Sequence, residues 1–201
     1  MKNNSSAIQQ NFVNICWTQT QSTKWFRIVV LIIGGSLLLT LSAKIQVPFW
    51  PVPITMQTMV ALLLGMGIGW RLGGAAYILY VAEGAFGFPV FAGTPEKGIG
   101  LSYIMGPTGG YLFGMFIACV VAGKLAEFGW DRNIWTAILA LLIGNILIYV
   151  PGLLWLGSLL GWEKPILEWG FYPFLYGDIA KILLGATLMR LAWKLLKKVQ
   201  Q

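Results

Sequence analysis

The sequence predicts an all-α integral membrane protein of six transmembrane helices with both termini in the cytoplasm. Three observations predict it: an apolar composition, six apolar segments of spanning length, and basic residues gathered on alternate connections. Of 201 residues, 57% are hydrophobic and only 10% charged, against roughly 25% charged in an average soluble domain. A chain of this size folded in water would expose large apolar patches, so the bilayer is its natural solvent. Six spans of roughly 20 residues use most of the length. One helical unit over residues 24–201 is therefore expected, with no separate soluble catalytic or ATP-binding domain.

Residues 1–23 are polar, carry only Lys2 as a charge, and lack an apolar stretch followed by a small-residue cleavage site. They read as a retained tail. The first apolar segment is Ile28–Ala43, between Arg27 and Lys44. The second, about Ile54 to Trp70, follows the loop Pro48-Phe49-Trp50-Pro51-Val52-Pro53, whose prolines favour a stiff extended connector. The third spans about Leu72 to Phe86 and contains Glu83. A Gly/Pro-rich loop then covers Gly87–Gly106. The fourth helix starts near Pro107, a residue suited to a first turn, and ends near Lys124. The fifth runs from about Ile134 to Leu156 with a kink expected at Pro151, and the sixth from about Phe174 to Trp193.

Charge sets the orientation. With the N-terminus inside, the inner segments hold Lys2, Lys24, Arg27, Arg71, Lys124, Arg132, Arg190, Lys194, Lys197 and Lys198, and the outer loops only Lys44, Lys97 and Lys164. That bias is the positive-inside pattern. Trp50, Trp155, Trp162 and Trp169 fall at outer edges and Trp130 and Trp193 at inner ones, as interfacial belts require.

Other chemistries find little support. Cys16 and Cys119 are too far apart for a metal pair, and histidine is absent. No cofactor or metal is expected. The net charge of +7 sits at the ends of apolar runs rather than on one face, so no nucleic acid is expected as a partner. Gly106-Pro107-Thr108-Gly109-Gly110-Tyr111 lacks the Gly-Lys-Ser/Thr ending of a phosphate loop and reads as a helix start.

Charges inside spans are the most informative residues, because each costs ~2.5–3.5 kcal/mol at a helix centre. Asp178 and Lys181 lie three apart on one face. They could be a structural ion pair or contacts for a ligand, and both readings are open. At ~1.5 Å of rise per residue, Lys181, Glu83, Gln57, Tyr111 and Asn145 all come out ~18–21 Å from the inner charge of their own span. Five helices thus place polar groups in one stratum of the outer half. That stratum suits a pocket for a small anionic solute with amide-like groups, with Phe91, Tyr111 and Trp155 as aromatic walls. Two rival readings are a membrane-embedded enzyme using Glu83 and Asp178 as acid and base or Lys181 as nucleophile, and a purely structural bundle. Ser36 and Thr40 are small residues one turn apart, a pattern that permits close helix approach by a partner.

Four motifs resemble one family in order and spacing. Val52-Pro53-Ile54-Thr55-Met56-Gln57-Thr58 is similar to the first signature of the BioY family, the biotin-specific S-components of energy-coupling factor transporters. Ala82-Glu83-Gly84-Ala85-Phe86-Gly87-Phe88-Pro89-Val90-Phe91-Ala92-Gly93 resembles the second, and Gly106-Pro107-Thr108-Gly109-Gly110-Tyr111-Leu112 the third. Gly177-Asp178-Ile179-Ala180-Lys181 resembles the fourth, an Asp-x-x-Lys in the last helix. The resemblance implies high-affinity capture of biotin and a multi-pass protein of the cell membrane. It implies partnership with a transmembrane coupling subunit and two cytoplasmic ATPase subunits, or action as a solitary or homo-oligomeric protein. It implies Asp178 and Lys181 as ligand contacts, with Glu83, Gln57 and Tyr111 as pocket members. The place of the family's docking face is taken here by Ser36, Thr40 and Ala43.

The charge bias makes the topology testable. In cysteine scanning with an impermeant reagent, positions near Lys97 should react from outside and positions near Arg132 only after permeabilisation. Labelling near Arg132 in intact cells would reverse the orientation.

Overall fold

The computed structural model describes residues 24–199. The polar stretch 1–23, read above as a tail, lies outside the described residues. The described chain is helical almost throughout. Helix α1 is Lys24–Lys44, α2 Gln57–Ile68, α3 Trp70–Ala85, α4 Leu101–Ile104, α5 Gly109–Glu127, α6 Ile134–Leu160, α7 Ile166–Gly170 and α8 Leu175–Val199. A 3₁₀ turn, Tyr172–Phe174, joins α7 to α8. Two short strands, β1 (Gln46–Val47) and β2 (Ile54–Thr55), pair antiparallel with Gln46 opposite Thr55.

Among the described residues three helices, α1, α5 and α6, are long and apolar enough to cross a membrane. Their surfaces fit that solvent. Helix α1 turns Val29, Ile33, Leu37 and Leu41 outward, and buries Gly35, Ser36, Leu39, Ser42 and Ala43 on the opposite face. Helical periodicity separates the two sets, since residues three and four apart share a face. The outward set is apolar, which water would penalise and lipid does not.

The second apolar segment departs from its expected extent. Ile54 and Thr55 belong to β2, and α2 has 12 residues rather than running to Trp70. Gly69 ends it with φ 88°, a conformation that side chains resist, and the chain turns straight into α3. The proline loop likewise closes a two-stranded ribbon instead of an unpaired connector. Helix α5 starts two residues beyond Pro107, and α6 continues through Pro151 to Leu160.

Packing is densest where α5 lies against α6 and α2. Between helices in lipid there is no hydrophobic driving force, so close contact depends on small residues. Gly65 is such a point: a Cβ there would run into the backbone carbonyl of Cys119 on α5. Two residues on, Gly67 has no heavy atom within 4 Å of the same added carbon. Gly65→Val should therefore lower the melting temperature of the detergent-solubilised protein sharply, in the range of overpacked cores (about 1–3 kcal/mol or more). Gly67→Ala should leave it unchanged or slightly raised. Equal melting of the two variants would remove Gly65 as a packing point.

Candidate ligand-binding site

Charge burial organises one half of the bundle. On α8, Asp178 and Lys181 are 5% and 9% exposed. The Lys181 ammonium donates to Asp178 Oδ1 at 3.0 Å, the one salt bridge among the described residues. It also donates to Thr58 Oγ1 on α2 at 3.3 Å. The other carboxylate oxygen of Asp178 accepts from the hydroxyl of Tyr149 on α6. Three helices meet at one ion pair. An ammonium has three donors, and two are engaged.

A small cavity of about 40 Å³ adjoins this group. Lys181, Thr58, Gln57, Tyr111 and Tyr149 line it, with Val52, Pro53 and Thr55 from the proline loop and β2, and Ala92 and Tyr103 from the second loop. Gln57, at the start of α2, is 3% exposed. Its amide approaches the Tyr80 hydroxyl, yet neither Gln57 Nε2 nor that hydroxyl completes a hydrogen bond of good geometry. A buried donor without a partner is costly, and here it belongs to a residue of the cavity wall.

Aromatic rings shape the wall. Tyr149 meets Phe171 edge-on at 4.9 Å between centroids and Tyr111 at 6.2 Å. The Tyr111 hydroxyl donates to the Gly170 carbonyl at 2.9 Å, which ties α5 to the end of α7. Above, Lys44 at the end of α1 donates to the Phe91 carbonyl at 2.9 Å and to Thr94 Oγ1 at 2.9 Å. Lys97 donates to the Phe49 carbonyl at 3.1 Å, so each loop holds the other. Partial burial lowers the Lys97 ammonium below its usual pKa.

The structure brings Gln57, Tyr111 and Lys181 together around the cavity, with Asp178 directly behind Lys181. It places other candidates elsewhere. Glu83 accepts a hydrogen bond from Ser36 Oγ on α1 at 2.5 Å and does not line the cavity. Phe91 packs between Tyr103 and Tyr80, and its neighbour Ala92 reaches the cavity instead. Asn145 donates back to the Leu141 carbonyl of its own helix. Trp155 donates to the Gly106 carbonyl and packs on α5. On α1, Ser36 and Ala43 are wholly enclosed and Thr40 half-buried, while the exposed face of this helix carries leucine and valine. Tyr149, Thr58 and Tyr103 were missed from sequence. Tyr149 was within reach, one turn beyond Asn145 on the same face.

A sequence model of the BioY family matches residues 12–198. The chain belongs to the BioY family. The probable biotin transporter BioY of Pyrococcus horikoshii is 36% identical to it over 144 residues, covering 72% of this chain and 82% of that protein. The biotin transporter BioY of Thermotoga maritima is 35% identical over 155 residues, covering 75% and 86%. The crystal structure of the S-component for biotin from an ECF-type ABC transporter superposes with a TM-score of 0.72. It covers 88% of this chain and 95% of that one at 24% identity, a likeness of fold. This BioY-family chain is thus a multi-pass membrane protein with an all-helical fold, as its composition predicts.

The ion pair supplies a test independent of any ligand. Removing one partner leaves a buried charge uncompensated and should cost about 3–5 kcal/mol, whereas removing both can be neutral. Asp178→Asn and Lys181→Met should each lower the melting temperature, and the double variant should recover most of the loss. A double variant no more stable than the singles would mean that the pair is not coupled.

Proposed function

We propose that this chain is the membrane-embedded biotin-capturing S-component of an energy-coupling factor importer. The observation that carries the reading is the convergence of two under-used buried donors, the Lys181 ammonium and the Gln57 amide, on one cavity walled by tyrosines. Biotin offers matching chemistry: a carboxylate, a ureido group with one carbonyl and two N–H groups, and an apolar body. Lys181 and Gln57 donate to ligand oxygens, while Tyr111 and Tyr149 pack against the apolar part. Asp178 pairs with Lys181 and aims it. Glu83, Phe91 and Asn145 support the wall from behind.

The relatives' names support the substrate, since those from P. horikoshii and T. maritima are named as biotin transporters. The cavity's size adds a step. About 40 Å³ lies far below the ~300–1,000 Å³ of small-molecule pockets. The structure therefore corresponds to a closed state, and the loops at 48–55 and 87–106 move apart to admit ligand. Six spans with cytoplasmic termini follow from the basic residues of the inner connections. No phosphate loop of the Gly-Lys-Ser/Thr kind occurs in the sequence, so energy is supplied by partners. A transmembrane coupling subunit and two cytoplasmic ATPases fill that role.

Equilibrium binding of biotin to the purified protein tests the proposal. Wild-type protein should bind saturably. Lys181→Met and Gln57→Leu should each weaken binding about ten- to a hundredfold, the range for a lost hydrogen bond to a charged or buried group. Asn145→Leu should stay within a few-fold of wild type, because its amide is committed to its own helix. Absence of saturable binding by the wild type would remove biotin as the ligand. Equal losses in all three variants would remove Lys181 and Gln57 as specific contacts.

A further inference from the structure

At the opposite end of α6 and α8 lies a second and larger concavity, of about 430 Å³. It is lined by Arg132, Asn133, Ile134 and Trp135 at the start of α6 and by Arg190, Trp193 and Lys194 from α8. Trp193 is twelve residues from Lys181 along α8, which puts the groove ~18 Å from the biotin pocket. Nothing in the biotin reading uses it.

The groove is rigidly built. Trp193 is 8% exposed, and its indole N–H donates to Asp131 Oδ2 at 2.7 Å. The Arg132 guanidinium sits over the same indole ring at 4.9 Å. The Asn133 side chain accepts from the Trp135 N–H at 2.9 Å and caps the start of α6. The acid beside these cations is turned away: Asp131 is 2% exposed. Burial raises its carboxyl above the ordinary carboxylate pKa, against the pull of the Trp193 hydrogen bond and of Arg132. Arg132, Arg190 and Lys194 are exposed, and none of them forms a salt bridge among the described residues. The amino end of a 27-residue helix adds partial positive charge to the same place.

Membrane topology explains why cations lie at this end of the bundle. It does not explain why three of them share a groove. Elsewhere at the same end, Arg71 and Lys124 both lie over the Trp70 ring, each at 5.1 Å, and line no comparable cavity among the pockets described. A cluster of cations around a cavity of this size calls for an anion with several oxygens, and a phosphate diester has that form. The flank decides its source. Trp135 and Leu139 on α6 and Leu183 on α8 are 76%, 48% and 53% exposed, the two leucines lying toward the middle of the bundle in line with the groove, so an apolar surface continues from it along the bundle. A free phosphate would leave that surface unused, whereas acyl chains cover it.

We propose that this groove binds the phosphate headgroup of an anionic phospholipid, with Arg190 and Lys194 on the phosphate and acyl chains along Trp135, Leu139 and Leu183. Basic pockets between helices at a membrane edge recognise lipids by these forces. The site requires only that the groove lie at a membrane edge, in either orientation of the chain.

Equilibrium binding of a fluorescent phosphatidylglycerol to the full-length protein in neutral detergent micelles tests this. Phosphatidylcholine and inorganic phosphate serve as competitors. Wild-type binding should yield to unlabelled phosphatidylglycerol and weaken as salt rises, but resist the other two. Arg190→Gln and Lys194→Gln should each weaken it about fivefold, and the pair about twenty-fivefold. Lys124→Gln, whose charge lies over Trp70, should not change it. Competition by phosphatidylcholine as strong as by phosphatidylglycerol would overturn the site, as would a folded double variant binding like wild type. Displacement by inorganic phosphate alone would reassign it to a soluble anion and overturn the lipid. If the double variant fails to fold, salt dependence and competition with wild-type protein decide alone.

Discussion

A lysine ammonium that must stay satisfied inside an apolar bundle constrains one whole half of this protein. An unpaired charge inside a span costs several kcal/mol. Asp178 supplies the opposite charge from one turn away, and its second oxygen is closed by Tyr149. Thr58 adds a third helix to the group. Because Tyr149 is fixed by its hydrogen bond, its ring can order Phe171, Phe174 and Tyr111 around it. Tyr111 in turn holds Gly170. The cavity wall is thus an aromatic shell organised by one ion pair.

The closure above that wall has a different character. Its ties are lysine amines on backbone carbonyls and one threonine hydroxyl: Lys44 on Phe91 and Thr94, Lys97 on Phe49. Such bonds are net about 0.5–1.5 kcal/mol each, and up to about 3 kcal/mol when a charge takes part. Water can replace them at the membrane surface, so separating the two loops costs little beside dismantling the ion pair. A rigid floor with an inexpensive roof is what reversible capture demands. Lys44 also places the roof under the control of α1, the helix that Ser36 couples to Glu83 on α3.

The residues that were legible in the sequence, and those that were not, divide along one geometric line. Apolar runs located the long helices, and ranking polar residues by distance from the inner charges gave their height. Height says nothing about direction around the helix axis. Gln57, Tyr111 and Lys181 share both height and direction, and they meet. Glu83 and Asn145 have the height but not the direction: one turns to Ser36, the other folds back on Leu141. The small residues of α1 carry a related ambiguity. Ser36, Thr40 and Ala43 suit a docking partner, and small residues also mark where helices of the same chain approach; Ser36 and Ala43 are enclosed within the bundle and Thr40 is half-buried. The division of Ile54–Trp70 by Gly69 was hidden because a glycine inside an apolar run looks like packing until its φ is known.

Helix α8 shows how one element serves two sites without conflict. Successive residues advance about 100° around the axis. The buried face is centred on Ile182, Gly185, Met189 and Trp193. Lys181 stands on one border of that face, in one half of the bundle, where α2 and α6 enclose it. Arg190 and Lys194 stand beyond the opposite border, in the other half, in line with the exposed Leu183. Trp193 belongs to the buried face yet reaches the groove through its ring edge, so the core itself fixes the groove's wall. A cation on the first border must be neutralised within the chain, because helices cover it. Cations on the second border are exposed and form no salt bridge among the described residues. The same 3.6-residue period that encloses Lys181 among three helices therefore presents Arg190 and Lys194 at the surface.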